Sequence, residues 1–146
     1  MSYDKPNHAS LWPRGAFTLV EMVIVIMVIA ALTALALPKF RGSVEYSRSM
    51  EAFVQMGSIR QALDRCHFMA GGSYVNCDVL QLDINNPNED GKAHFSYTLS
   101  DLGQEVYTIT ALRNTKDNGD GESTIILERD TTTVKRSGTG VFENIK

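Results

Sequence analysis

Residues 15–40 read Gly-Ala-Phe-Thr-Leu-Val-Glu-Met-Val-Ile-Val-Ile-Met-Val-Ile-Ala-Ala-Leu-Thr-Ala-Leu-Ala-Leu-Pro-Lys-Phe. The 22 residues from Ala16 to Leu37 carry a single charge, Glu21. As a helix rising 1.5 Å per residue, this stretch is about 33 Å long, enough to cross the hydrocarbon core of a bilayer. A helix buried in a soluble domain rarely runs so far without a polar face. The stretch therefore predicts a membrane-spanning helix, with a short polar segment before it and one modest domain after it.

The flanks refine this reading. Residues 1–14 are polar, contain Pro6 and Pro13, and show no hydrophobic period. Lys5 and Arg14 favour keeping that end inside, but Lys39 and Arg41 on the far side oppose them, so charge leaves the orientation open. Ala34-Leu35-Ala36 has the small-x-small pattern of a secretory cleavage site, and a cut after Ala36 predicts an exported soluble protein. The length of the apolar run, the early Glu21 and the proline at position 38 argue against that cut. The net charge of -3 over 146 residues gives no electrostatic reason to expect nucleic acid as a primary partner.

Arg14-Gly15-Ala16-Phe17-Thr18-Leu19-Val20-Glu21, followed by the apolar run and Pro38, resembles the N-terminus of a type IV pilin. That family has a short basic leader ending in glycine, then Phe-Thr-Leu-x-Glu, an apolar helix and a late proline. The resemblance covers residues 14 to about 53. It implies cleavage by a prepilin peptidase around Gly15, Ala16 and Phe17, and an N-methylated new terminus. It also implies residence in the inner membrane, then passage through the pilus assembly machinery into a homo-oligomeric helical filament at the cell surface. The type II secretion pseudopilins share the motif and supply the alternative function. One departure stands out: Ala16 separates the glycine from Phe17. A cut after Ala16 preserves the register of Phe17, Glu21 and Pro38, whereas a cut after Gly15 preserves the glycine that the peptidase prefers.

Glu21 also has a physical reading. A carboxylate at the centre of a membrane span costs roughly 2.5–3.5 kcal/mol, and less near an end. Removal of a leader creates a free α-amino group, ordinarily titrating at about 7.7–8.0. In a bundle of such helices, the amine of one subunit can neutralise Glu21 of the next and penalise wrong axial registers. Small residues at Ala30, Ala31, Thr33, Ala34 and Ala36 allow helices to approach closely in lipid. Pro38 removes a backbone donor, so a kink, local melting or the end of the span is expected there.

Beyond Pro38 the pattern becomes amphipathic. Phe53, Met56, Ile59, Leu63 and Cys66 recur at helical spacing, and the helix is expected to stop at Ala70-Gly71-Gly72. Cys66 and Cys77 are expected to form a disulfide, because zinc would need more ligands than these and His67 provide. Alternation then predicts strands and turns. Leu80, Leu82 and Ile84 precede a turn at 86–91, and Phe95, Tyr97 and Leu99 follow it. Next come Val106 to Leu112, with Tyr107, Ile109 and Ala111 on one face, Ser123 to Arg129, and a last strand over Thr131 to Lys135.

The expected fold is α+β: a long N-terminal helix packed on a small antiparallel sheet of about four strands. Its segments are a leader over 1–16, an apolar helix over 17–38 and an amphipathic half over 39–70. A connecting loop with the disulfide follows over 71–92, then the sheet and C-terminal region over 93–146. Asp117, Asp120 and Glu122 are weak calcium candidates, since their spacing is not that of a calcium loop and Asp-Asn-Gly is ordinary hairpin chemistry. No cofactor is expected. No nucleophile, base and orienting group can be assembled, so the chain reads as a structural subunit and not as an enzyme.

Overall fold

The long apolar run continues into the amphipathic pattern without a break in helix periodicity. In the computed structural model, which describes residues 17–89 and 91–145, both belong to one helix, α1, Leu19–Met69. Pro38 lies inside it. The chain divides into two units between Pro38 and Lys39. The first contains only the apolar part of α1 among the described residues, and the second contains everything that packs into a core.

α1 ends where its glycines permit. Gly72 N donates to His67 O at 2.9 Å, and Gly71 has φ +74, so the last turn closes with a left-handed residue that glycine adopts without strain. Four strands follow: β1 Phe95–Ser100, β2 Tyr107–Arg113, β3 Thr124–Arg129 and β4 Val134–Gly138. They form one antiparallel sheet in the order β1-β2-β3-β4. Consecutive antiparallel strands need only short turns, which is why glycine and aspartate punctuate this half of the sequence.

The register places Tyr97 opposite Ala111, Leu99 opposite Ile109, and Ala111 opposite Ile125. Alternate residues therefore face α1 and build one core with Ala52, Met56, Ile59, Ala62 and Leu63. Of the anticipated helix stripe, Met56, Ile59 and Leu63 are fully buried, while Phe53 and Cys66 are partly so. The small residues Ser49, Ala52 and Ala62 let the helix lie close to the sheet. Phe142, on a short 3-10 turn after β4, closes one side with its ring 5.7 Å from that of Phe95.

Two expectations need correction. Leu80, Leu82 and Ile84 do not form a strand. Asp78 caps a 3-10 turn over Val79–Gln81 through a 2.6 Å hydrogen bond to Val79 N, leaving Leu80 78 % exposed and Leu82 buried. The final strand lies at Val134–Gly138 rather than over Thr131 to Lys135. The Asp130 carboxylate accepts from Thr131 N at 2.7 Å, and Asp130 N bonds Thr133 O at 2.9 Å, so residues 130–133 are consumed by the turn.

Cys66 and Cys77 form the disulfide, with Cα atoms 5.9 Å apart. It ties the last turns of α1 to the loop that leads away from it. Next to it His67 lies against Tyr74, ring centroids 4.3 Å apart, and the Tyr74 hydroxyl donates to Asp64 at 3.0 Å. Burial, with the Asp64 carboxylate beside it, holds the Tyr74 phenol well above its ordinary range.

Candidate assembly surface

The first unit is notable for what it leaves uncovered. Every residue from 17 to 43 is exposed, including Leu19, Val20, Met22, Ile24, Ile26, Met27, Ile29, Leu32 and Leu35. Apolar residues occur on all sides of this helix, so no rotation about its axis presents a polar face to water. It is long and apolar enough to cross a membrane. Thr33 hides its hydroxyl by donating to Ile29 O at 2.8 Å, leaving Glu21 as the single charge between Phe17 and Pro38.

Glu21 is positioned by its own helix start. Its Oε2 accepts from Thr18 N at 2.8 Å and from Thr18 Oγ1 at 2.8 Å, while Glu21 N donates to Thr18 Oγ1 at 3.2 Å. This reciprocal arrangement is a capping box, with Thr18 capping and Glu21 three residues on. It satisfies backbone donors that a helix N-terminus otherwise leaves open, and it keeps a negative charge at the positive end of the helix dipole. The sequence reading missed it, although Thr-x-x-Glu before an apolar run is its signature. The carboxylate thus has donors within its own chain while remaining exposed.

Phe17 is exposed at the start of the described chain. Gly15 and Ala16, the other two residues of the anticipated processing site, lie outside the described residues. Pro38 is helical, and the helix carries on beyond it.

The weak calcium candidates do not converge. Asp117 Oδ2 is 2.9 Å from His94 Nε2. Asp120 accepts from Glu122 N and Ser123 N, both at 3.0 Å, and from the Ser123 hydroxyl. Burial works against ionisation of Asp120, but these hydrogen bonds outweigh it and hold its carboxyl below the usual range. Among the described residues, no group of three or more metal-ligating side chains is arranged to hold an ion.

No family model matches the chain, and no solved structure does. Two known proteins are similar to it. Fimbrial protein EcpB of Eikenella corrodens is 29% identical over 93 residues, covering 64% of this chain and 52% of that protein. Type IV major fimbrial protein FimA of Dichelobacter nodosus is 29% identical over 107 residues, covering 72% of this chain and 68% of that protein. The chain thus spans about half the length of the first relative and about two thirds of the second. With its long apolar N-terminal helix, its α+β architecture and its similarity to these two fimbrial proteins, the chain is type IV pilin-like.

Proposed function

We propose that the protein is a structural subunit of an extracellular type IV pilus, formed from many copies of this chain. The observation that carries this reading is the uncovered apolar helix. In water, a rod with apolar residues all round needs either lipid or other rods, and burial contributes about 25 cal/mol per Å² of apolar surface. Before assembly the bilayer supplies that cover. In the filament, neighbouring copies supply it.

Cleavage by a prepilin peptidase after Ala16, or after Gly15, would remove the leader and free an amine at Phe17 or Ala16. Glu21 would then exchange part of its bonding to Thr18 for a charge-assisted hydrogen bond to the amine of an adjacent subunit, setting the axial register. Pro38 would give the helix a place to bend under load. The names of the two relatives favour a pilus over the pseudopilin of a secretion system.

The test combines mass spectrometry of the mature N-terminus with electron microscopy of cell surfaces. Filaments built from a chain starting at residue 16 or 17, and lost in Glu21→Ala, are the expected result. A mature chain starting at Leu37, or undiminished filaments in Glu21→Ala, would overturn the reading.

A further inference from the structure

Beside the sheet, Glu51 and Gln55 of α1, Asn85 and Asn86 of the following loop, and Tyr97 of β1 line a surface recess of about 390 Å³. The volume lies at the low end of the range for small-molecule sites, roughly 300–1,000 Å³. Its walls are set in place before any ligand arrives. Glu51 and Gln55 are four residues apart, hence on one face of the helix. Asn88 Nδ2 donates to Tyr97 O at 2.8 Å, and Tyr97 N donates to Asn88 Oδ1 at 2.7 Å, so the loop is pinned to the free edge of β1. Asn86 Oδ1 accepts from Asn88 N at 3.0 Å and stiffens the same loop.

The chemistry of the lining narrows what can enter. Tyr97 is 2 % exposed, and its hydroxyl has no hydrogen-bond partner among the described residues. The side-chain amides of Gln55 and Asn85 are likewise unengaged among the described residues, and each offers both a donor and an acceptor. Glu51 is the one charged residue in the described lining, and its Oε2 lies 2.7 Å from His94 Nδ1. An anion would meet no cation among these groups, and an amine would have to compete with His94 for the carboxylate. Groups that both donate and accept match hydroxyls best. We propose that this recess binds a neutral saccharide, held through its hydroxyls by Gln55, Asn85 and Tyr97.

The proposal goes beyond the filament reading and does not depend on it. The test uses the full chain in micelles of a detergent without a sugar headgroup. Saturation-transfer NMR is recorded with methyl glucoside, methyl galactoside and N-acetylglucosamine as probes, and with lysine as the amine control. Expected is saturable, millimolar binding of at least one sugar and none of lysine. Tyr97→Phe, which removes only the hydroxyl, and Asn85→Ala should each weaken sugar binding by roughly fivefold, the effect of one lost hydrogen bond. Unchanged circular dichroism would show that these variants fold. No saturable sugar binding, sugar binding indifferent to both variants, or preferential binding of lysine would each overturn the assignment. None of these outcomes bears on whether filaments form.

Discussion

Arg113 Nε donates to Glu45 Oε2 at 2.9 Å, and Nη2 reaches Glu45 Oε1 at 3.3 Å, joining the end of β2 to α1. The guanidinium is fully buried, and its Nη1 also donates to His94 O at 3.1 Å and Asn114 O at 3.0 Å. Arg48 approaches Glu45 from the helix side at 2.7 Å and bonds Asp117 O at 2.8 Å. Removing one partner of a buried pair leaves an uncompensated charge, which costs about 3–5 kcal/mol. Glu45→Ala, which leaves the buried Arg113 guanidinium without its carboxylate, should lower the unfolding free energy of the second unit by that order, measured by urea titration of the full chain in micelles. Arg113→Met should cost less, because Arg48 still pairs with the partly exposed Glu45.

The same pair sets an acid limit. The Arg113 hydrogen bond holds the Glu45 carboxyl below its usual range, with burial opposing and Arg48 assisting. Its folded pKa therefore lies below the unfolded value of about 4.3, so its contribution is complete above that pH. It is lost as pH falls through the folded value, because the unfolded chain binds the proton first. Stability measured from pH 6 to pH 2, about the range of carboxyl titration, should fall more steeply in the wild type than in Glu45→Gln.

Thr18 and Glu21 form a unit at the helix start. Thr18→Val keeps the shape but removes the hydroxyl, so the helix should lose about 1 kcal/mol of capping. Deuterium exchange over residues 18–23 should quicken in this variant, while the core amides of β2 stay protected.

Reduction or a Cys66→Ser, Cys77→Ser double variant should destabilise the second unit by about 3 kcal/mol, the chain-entropy value for a loop with cysteines 11 apart. Calorimetry with and without reductant measures it. A tenfold smaller shift would mean that the surrounding packing, not the bridge, fixes the end of α1.

Gly71 and Gly140 offer a paired comparison. Both have positive φ, +74 and +62. A Cβ at Gly71 meets nothing within 4 Å, so Gly71→Ala should cost only the left-handed strain, about 1 kcal/mol. A Cβ at Gly140 would collide with the Ser123 hydroxyl, which also accepts from Val141 N at 3.0 Å. Gly140→Ala should therefore cost clearly more and loosen Phe142 from the core, as seen in thermal melts of the two variants.

Local pattern determined a good deal by itself. An unbroken apolar run needs only its own composition to demand a helix and a nonpolar partner. Period-two alternation at Phe95 to Leu99 and at Tyr107 to Ala111 fixes which side chains face inward. The glycines at 71 and 72 stop the helix through backbone conformation alone. Tertiary structure decided the rest. Arg113 lies in phase with Tyr107, Ile109 and Ala111, so it had to point into the core, yet nothing local reveals that Glu45, 68 residues earlier, waits there for it. The alternation at Leu80 to Ile84 matched a strand and yielded to the Asp78 cap. Likewise the recess beside Tyr97 needs Glu51 and Gln55 of α1, more than 40 residues before Tyr97 in the chain, to meet the loop that Asn88 fastens to the sheet edge. Helix and strand periods are properties of consecutive residues, whereas charge pairing, edge closure and cavities depend on which distant segments meet.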